Sequence, residues 1–100
     1  MIYLDNAATT FPKPDCVVAE MSRCIREYGG NPGRSGHVLS LRAAEKIYEC
    51  RQTLASFFGS DKPENVVFTL NTTYALNLAI KSLYTPGAHV LISNMEHNSC

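Results

Sequence analysis

The residues best suited to chemistry cluster at two junctions. From position 66 to 77 the chain runs Val-Val-Phe-Thr-Leu-Asn-Thr-Thr-Tyr-Ala-Leu-Asn, and from 88 to 98 it runs Ala-His-Val-Leu-Ile-Ser-Asn-Met-Glu-His-Asn. The first stretch reads as a strand that enters a helix through the elbow Asn71, Thr72 and Thr73. A helix start suits an anion, because its first backbone N–H groups lack intrahelical partners and the positive end of the macrodipole lies there. Two threonine hydroxyls add donors for a phosphate. The same elbow has a plainer reading, in which Asn71 simply caps the helix. At the second junction His97 brings a planar imidazole, which suits stacking or proton transfer, although a histidine at a strand end also serves as a hydrogen-bonded structural residue. Glu96 is placed either to orient that ring or to sit in solvent as an ordinary acidic residue.

The positioning elements follow from periodicity and punctuation. The strands at 66–70 and 88–93, with a helix between them and a turn at Thr85-Pro86-Gly87, predict a parallel β-α-β crossover. In such a unit both junctions lie beyond one carboxyl edge of the sheet, where open α/β folds bind ligands. Upstream, residues 1–13 are expected to be extended, with a helix from Pro14 to about Tyr28 stopped by Gly29-Gly30. The apolar positions of that helix, Val17, Met21, Cys24, Ile25 and Tyr28, fall on one side. A loop rich in Gly, Pro, Asn and Ser spans 29–37. A longer helix is expected from Ser40, as N-cap, to Phe58, with Leu41, Ala44, Ile47, Tyr48, Leu54, Ala55 and Phe58 as its stripe and Gly59 as its end. Residues 61–65 form a turn. The predicted organisation is an N-terminal segment over 1–64 and a second domain beginning at 65–100.

Four motifs, in order, give the chain a resemblance. Met1-Ile2-Tyr3-Leu4-Asp5-Asn6-Ala7-Ala8-Thr9-Thr10, Asn31-Pro32-Gly33-Arg34-Ser35-Gly36-His37, Asn71-Thr72-Thr73-Tyr74-Ala75-Leu76-Asn77 and Met95-Glu96-His97-Asn98 resemble the N-terminal part of class V aminotransferase-like enzymes, and within them the cysteine desulfurase and selenocysteine lyase group. The resemblance covers essentially the whole chain. It implies an α/β protein of fold-type I, the N-terminal part of a pyridoxal 5'-phosphate (PLP) enzyme acting in sulfur metabolism and iron–sulfur cluster assembly. The implied activity removes sulfur from L-cysteine, giving alanine and an enzyme persulfide. Other class V activities, namely aminotransferase, selenocysteine lyase or epimerase, and a non-catalytic remnant or interaction module stand as alternatives.

The resemblance also assigns roles. Thr72 and Thr73 bind the cofactor phosphate, with Thr73 the better candidate for a hydroxyl contact, and Asn71 replaces a glycine or alanine common in relatives. His97 lies against the pyridine ring and shuttles protons. Asn6, Ala7, Arg34 and His37, with Asn31 and Ser35 beside them, fall on the substrate side or near the partner subunit of a homodimer. Lys13, Lys46, Lys62 and Lys81 are out of place for a Schiff base, so this segment alone is expected to be inactive. Cys100 follows His97 closely, but the family's persulfide cysteine lies far toward the C-terminus. A sulfur-acceptor protein is the implied partner.

Composition narrows the remaining possibilities. Nine basic and nine acidic side chains cancel, so no net field attracts nucleic acid or an anionic membrane. No apolar run approaches the ~20 residues of a membrane span, and the N-terminus does not follow the signal-peptide pattern. A cytoplasmic location is expected. Cys16, Cys24, Cys50 and Cys100 form no C-x-x-C pair, so neither zinc nor a disulfide framework is expected. An enzyme of this family is several times longer than 100 residues, and a polypeptide with two strands is expected to be poorly stable alone or to associate.

Overall fold

The computed structural model describes residues 2–34 and 36–100. Met1 and Ser35, both quoted in the motifs above, lie outside the described residues. Three α-helices are formed: α1, Asp15–Glu27; α2, Val38–Phe57; and α3, Thr72–Leu83, with a short 3-10 turn at Pro63–Asn65. The chain divides into two compact units, Met1–Pro63 and Glu64–Cys100.

In the first unit the N-terminal segment is folded on itself and is not extended as its sequence suggests. Ala8 and Thr9 donate their amides to the Asp5 carbonyl (both 3.2 Å), and the Tyr3 hydroxyl donates to the Thr9 carbonyl at 2.8 Å. The Asn6 carboxamide oxygen accepts the Phe11 amide at 3.1 Å, and the Tyr3 and Phe11 rings meet edge to face with centroids 5.7 Å apart. Short polar side chains that bond to nearby backbone give the chain an alternative to an extended run.

Helix α1 starts where Pro14, at φ −56°, presets the backbone, and Asp15 in its first turn and Arg26 in its last complement the macrodipole. Its expected apolar side is largely uncovered: Val17, Met21 and Ile25 are exposed, and only Tyr28, just beyond the last turn, is buried. Tyr28 donates its hydroxyl to the Glu20 carboxylate and lies 5.7 Å beneath the Arg23 guanidinium.

Helix α2 begins three residues before the expected start, with its cap at position 37 and not 40. His37 is the N-cap, its Nδ1 accepting the Ser40 amide at 3.2 Å, while Ser40 is almost completely buried and donates its hydroxyl to the Asn31 carbonyl at 2.6 Å. Ser40 therefore anchors the 29–37 loop and does not cap the helix. The buried apolar positions of α2 are Ala43 and Ala55, whereas Leu41, Ile47, Tyr48 and Phe58 of the expected stripe remain exposed. The helix ends as expected, at Gly59 with φ +73°, a left-handed conformation that glycine adopts without a β-carbon clash.

The second unit departs further from its sequence pattern. Residues 66–69 and 88–93 carry no ladder, and no strand is formed among the described residues. The expected parallel β-α-β unit is present only as its helix, α3, between two irregular segments. β-branched composition reports that a segment suits a pleated surface, but a strand exists only when neighbouring backbone accepts its N–H and C=O groups. Leu91 is 97% exposed, and none of the described residues of this unit is buried. The Thr85-Pro86-Gly87 turn does form, with Gly87 at φ +86° and Ala88 donating to the Thr85 carbonyl at 2.9 Å.

Candidate functional site

At the start of α3 the elbow is built as its residue types suggest. Asn71 is the N-cap, with φ −165° and ψ 175°, and its side-chain oxygen accepts the Tyr74 amide at 3.0 Å. The Ala75 amide reaches the Asn71 carbonyl at 3.1 Å and begins the regular ladder, while Thr69 donates its hydroxyl to the same carbonyl at 2.9 Å. The amides of Thr72 and Thr73, at the first two helical positions, have no acceptor among the described residues, and both residues are exposed. Two outward amides and two hydroxyls at the positive end of a twelve-residue helix fit a phosphate. Asn71 lies in extended backbone that any residue adopts, so replacing a glycine there demands no special conformation.

His97 opens a tight turn closed by the Cys100 amide donating to the His97 carbonyl at 2.9 Å. Its Nδ1 accepts the Ser99 amide at 3.1 Å and lies 2.6 Å from the Ser99 hydroxyl. The ring is exposed. Glu96 does not orient it: one Glu96 oxygen accepts the Ser93 hydroxyl at 2.9 Å and the other faces the Cys100 thiol at 3.8 Å.

The elbow and the histidine turn are joined through Asn77. Its side-chain nitrogen donates to the Thr73 carbonyl at 3.0 Å and to the Ser99 carbonyl, 22 residues along the chain, at 3.2 Å. Asn77 and Ser99 are half-buried, unlike the exposed residues they connect. Neither was singled out from sequence. The bond from Asn77 to Thr73 lies at helical i, i+4 spacing and was legible, but nothing local marks Ser99 as its second partner.

The remaining candidates belong to the first unit. Asn6 uses its carboxamide to fold the N-terminal turn, and Ala7 is exposed on that turn. Gly33 donates its amide to the Asn31 side chain at 3.0 Å. Arg34 is exposed and has no ion pair among the described residues. His37 spends Nδ1 on the α2 cap, which leaves Nε2 for other contacts. Among the described residues no group of three His, Cys, Asp or Glu side chains is placed to hold a metal, and no helix is long and apolar enough to cross a membrane. The four cysteines are free thiols.

Comparison with known proteins adds a family. The sequence profile described as aminotransferase class-V matches residues 2–100. A probable cysteine desulfurase of Methanothermobacter thermautotrophicus is 40% identical over 99 residues, covering 98% of this chain and 24% of the relative. A probable cysteine desulfurase of Mycolicibacterium paratuberculosis is 35% identical over 99% of this chain and 15% of its own length. Cysteine desulfurase IscS of Pseudomonas fluorescens is 36% identical over 98% of this chain and 25% of its own length. The chain thus spans a quarter or less of these relatives. No solved structure matches.

Proposed function

The chain belongs to the aminotransferase class-V family, and from that premise we propose that it is the N-terminal portion of a PLP-dependent cysteine desulfurase. The enzyme would take L-cysteine to alanine and leave the sulfur as an enzyme persulfide for an acceptor protein. The observation that carries this reading is the pair of outward amides at Thr72 and Thr73, linked through Asn77 to the turn that presents His97. Full-chain identity to relatives named cysteine desulfurase supports the substrate class.

When bound, PLP supplies an electron sink for the Cα of an amino-acid substrate. The residues of this chain do the holding. The Thr72 and Thr73 amides and hydroxyls would hold the phosphate, and the helix dipole would add to the attraction. His97 would hold the ring side of the cofactor and would give or take a proton at Nε2, because Nδ1 already accepts from Ser99. Arg34 and His37 stand toward the active-site entrance of a homodimer, Arg34 as a cation for an acidic group and His37 through its unused nitrogen. Asn6 shapes the N-terminal turn so that small Ala7 leaves room on the substrate side. Residues 1–64 form the N-terminal segment and 65–100 the start of the cofactor-binding domain. The Schiff-base lysine and the sulfur-accepting cysteine are assigned to polypeptide beyond residue 100. The same reading proposes a cytoplasmic enzyme that serves iron–sulfur cluster assembly.

The test is borohydride reduction of the complete gene product, followed by intact mass, together with assays of alanine and persulfide from L-cysteine. A reduced cofactor adduct on a lysine plus equal alanine and transferable sulfur is expected. Cofactor uptake without alanine release would move the protein to another class V activity. Absence of the adduct would reject the cofactor reading.

A further inference from the structure

We propose that Asn77 and Ser99 are positioning residues that fix His97 as its Nε2–H tautomer and lock its turn to the first turn of α3. The functional meaning of that arrangement rests on the reading of His97 as the cofactor-side histidine. The geometry itself does not.

The tautomer follows from the donor inventory. A backbone N–H can only donate, so the Ser99 amide, 3.1 Å from Nδ1, requires a lone pair there. The Ser99 hydroxyl, 2.6 Å away, then shares that single in-plane lone pair with the amide, and the hydrogen of the neutral ring is on Nε2. Ser99 therefore grips one nitrogen of the ring from two groups and leaves the other as an outward N–H donor.

Ser99 is in turn held by Asn77. Both bonds of the Asn77 carboxamide nitrogen end on carbonyl oxygens, Thr73 at 3.0 Å and Ser99 at 3.2 Å, so both of its hydrogens are used. The opposite amide orientation would point oxygen at two oxygens and is excluded by charge. The bond to Ser99 crosses 22 residues and ties the turn to the helix without any strand pairing in this unit. The residue that binds the helix to the turn is thus also two bonds from the histidine ring. Glu96, next to His97 in sequence, is engaged with Ser93 and Cys100 instead.

An aspartate at position 77 would keep the size and remove both hydrogens, setting a carboxylate against two carbonyls. Asn77→Asp should therefore disturb His97 more than Asn77→Ala does. Ser99→Ala removes the hydroxyl but keeps the amide, and Ser99→Thr keeps both.

The experiment uses the complete protein, labelled with 15N at histidine and read by long-range 15N–1H spectra of the cofactor-free form, with His97→Gln assigning the signals. Expected is a native His97 ring with unprotonated Nδ1 and protonated Nε2. Asn77→Asp and Ser99→Ala should each give averaged ring-nitrogen shifts, and Ser99→Thr should restore the native pattern. A native Nδ1–H ring, or variant spectra that match the native one, would overturn the proposal. If Asn77→Asp does not fold, Ser99→Ala at the half-buried end of the turn decides alone. In the active enzyme kcat should fall about tenfold, the scale of lost outer hydrogen-bond partners, with KM changed by less than about twofold. A protein that shows the fixed tautomer and its loss in the variants, but no desulfurase activity, would remove the functional reading and leave the positioning intact.

Discussion

Gly30 lies against Ser40 so closely that a β-carbon built on Gly30 would stand 2.9 Å from the Ser40 nitrogen and 2.8 Å from the Leu39 carbonyl carbon. Both neighbours are backbone of the first turn of α2, which is pinned by the His37 cap and by the buried Ser40 hydroxyl on Asn31. Neither can give way without loosening that turn. Gly30→Ala is therefore expected to destabilise the complete protein by about 1–3 kcal/mol, the usual cost of overpacking. The shift should appear in thermal melting and as faster proteolysis within 29–37. A Gly36→Ala control, where a β-carbon meets nothing within 4 Å, should leave both unchanged.

Tyr28 and Glu20 give the first unit a pH signature. The hydrogen bond from the phenol to the carboxylate holds Glu20 below the usual carboxylate range and raises Tyr28 to about 12, with loss of hydration adding to the rise. The neutral phenol is the form favoured by folding, so its contribution is full below the unfolded value near 10 and is lost as pH rises through about 12. The Glu20 contribution is present above about 4.5 and is lost as pH falls through its lowered folded value. Ultraviolet titration of the complete protein against its Tyr28→Phe variant should isolate one late-ionising tyrosine. Glu20→Gln should bring that ionisation earlier. An unchanged late step would show that Glu20 is not its cause.

The elbow makes separable predictions for cap and ligand. Asn71→Ala removes the acceptor of the Tyr74 amide and should cost about 1 kcal/mol in stability whether or not cofactor is present. Thr73→Val keeps the amide and removes the hydroxyl, so it should leave the cofactor-free melting point near native. It should weaken PLP binding by roughly tenfold to a hundredfold, the worth of a hydrogen bond to a charged group. Fluorescence titration of the cofactor-free protein with PLP reads the second effect. Equal losses in both variants with and without cofactor would reduce Thr73 to a helix residue.

Local chemistry was legible from sequence where one short segment decides it. Asn71 as cap, Gly59 as helix end and the Pro86-Gly87 turn each depend on a few adjacent residues. The start of α2 was misplaced because a histidine can cap through Nδ1 as well as a serine can through oxygen, and a three-residue shift turned Ser40 from cap to anchor. The strands at 66–70 and 88–93 were not formed because a ladder needs partners that local pattern does not encode. Ser99 was missed because its partner Asn77 is distant in sequence. The helices' apolar stripes were periodic as expected, yet periodicity identifies a face and not what covers it.

Those uncovered faces lead to a prediction for the 100-residue chain expressed by itself. Among the described residues the buried apolar ones are Tyr28, Ala43 and Ala55, all in the first unit, while Leu83, Leu91 and Met95 of the second are each more than four-fifths exposed. One tyrosine and two alanines bury little apolar surface, at about 25 cal/mol for each Å2, and backbone ordering costs about 1–2 kcal/mol per residue. The chain alone should bind a hydrophobic dye, melt broadly and sediment with a concentration-dependent mass. Residues 64–100 should exchange their amides first, because none of their described side chains is buried. The first α3 turn should outlast 88–93 within that unit, since Asn71 and Asn77 hold it and no strand among the described residues pairs with the latter segment. A sharp, concentration-independent transition with uniform exchange protection would show that the two units stabilise themselves without further polypeptide.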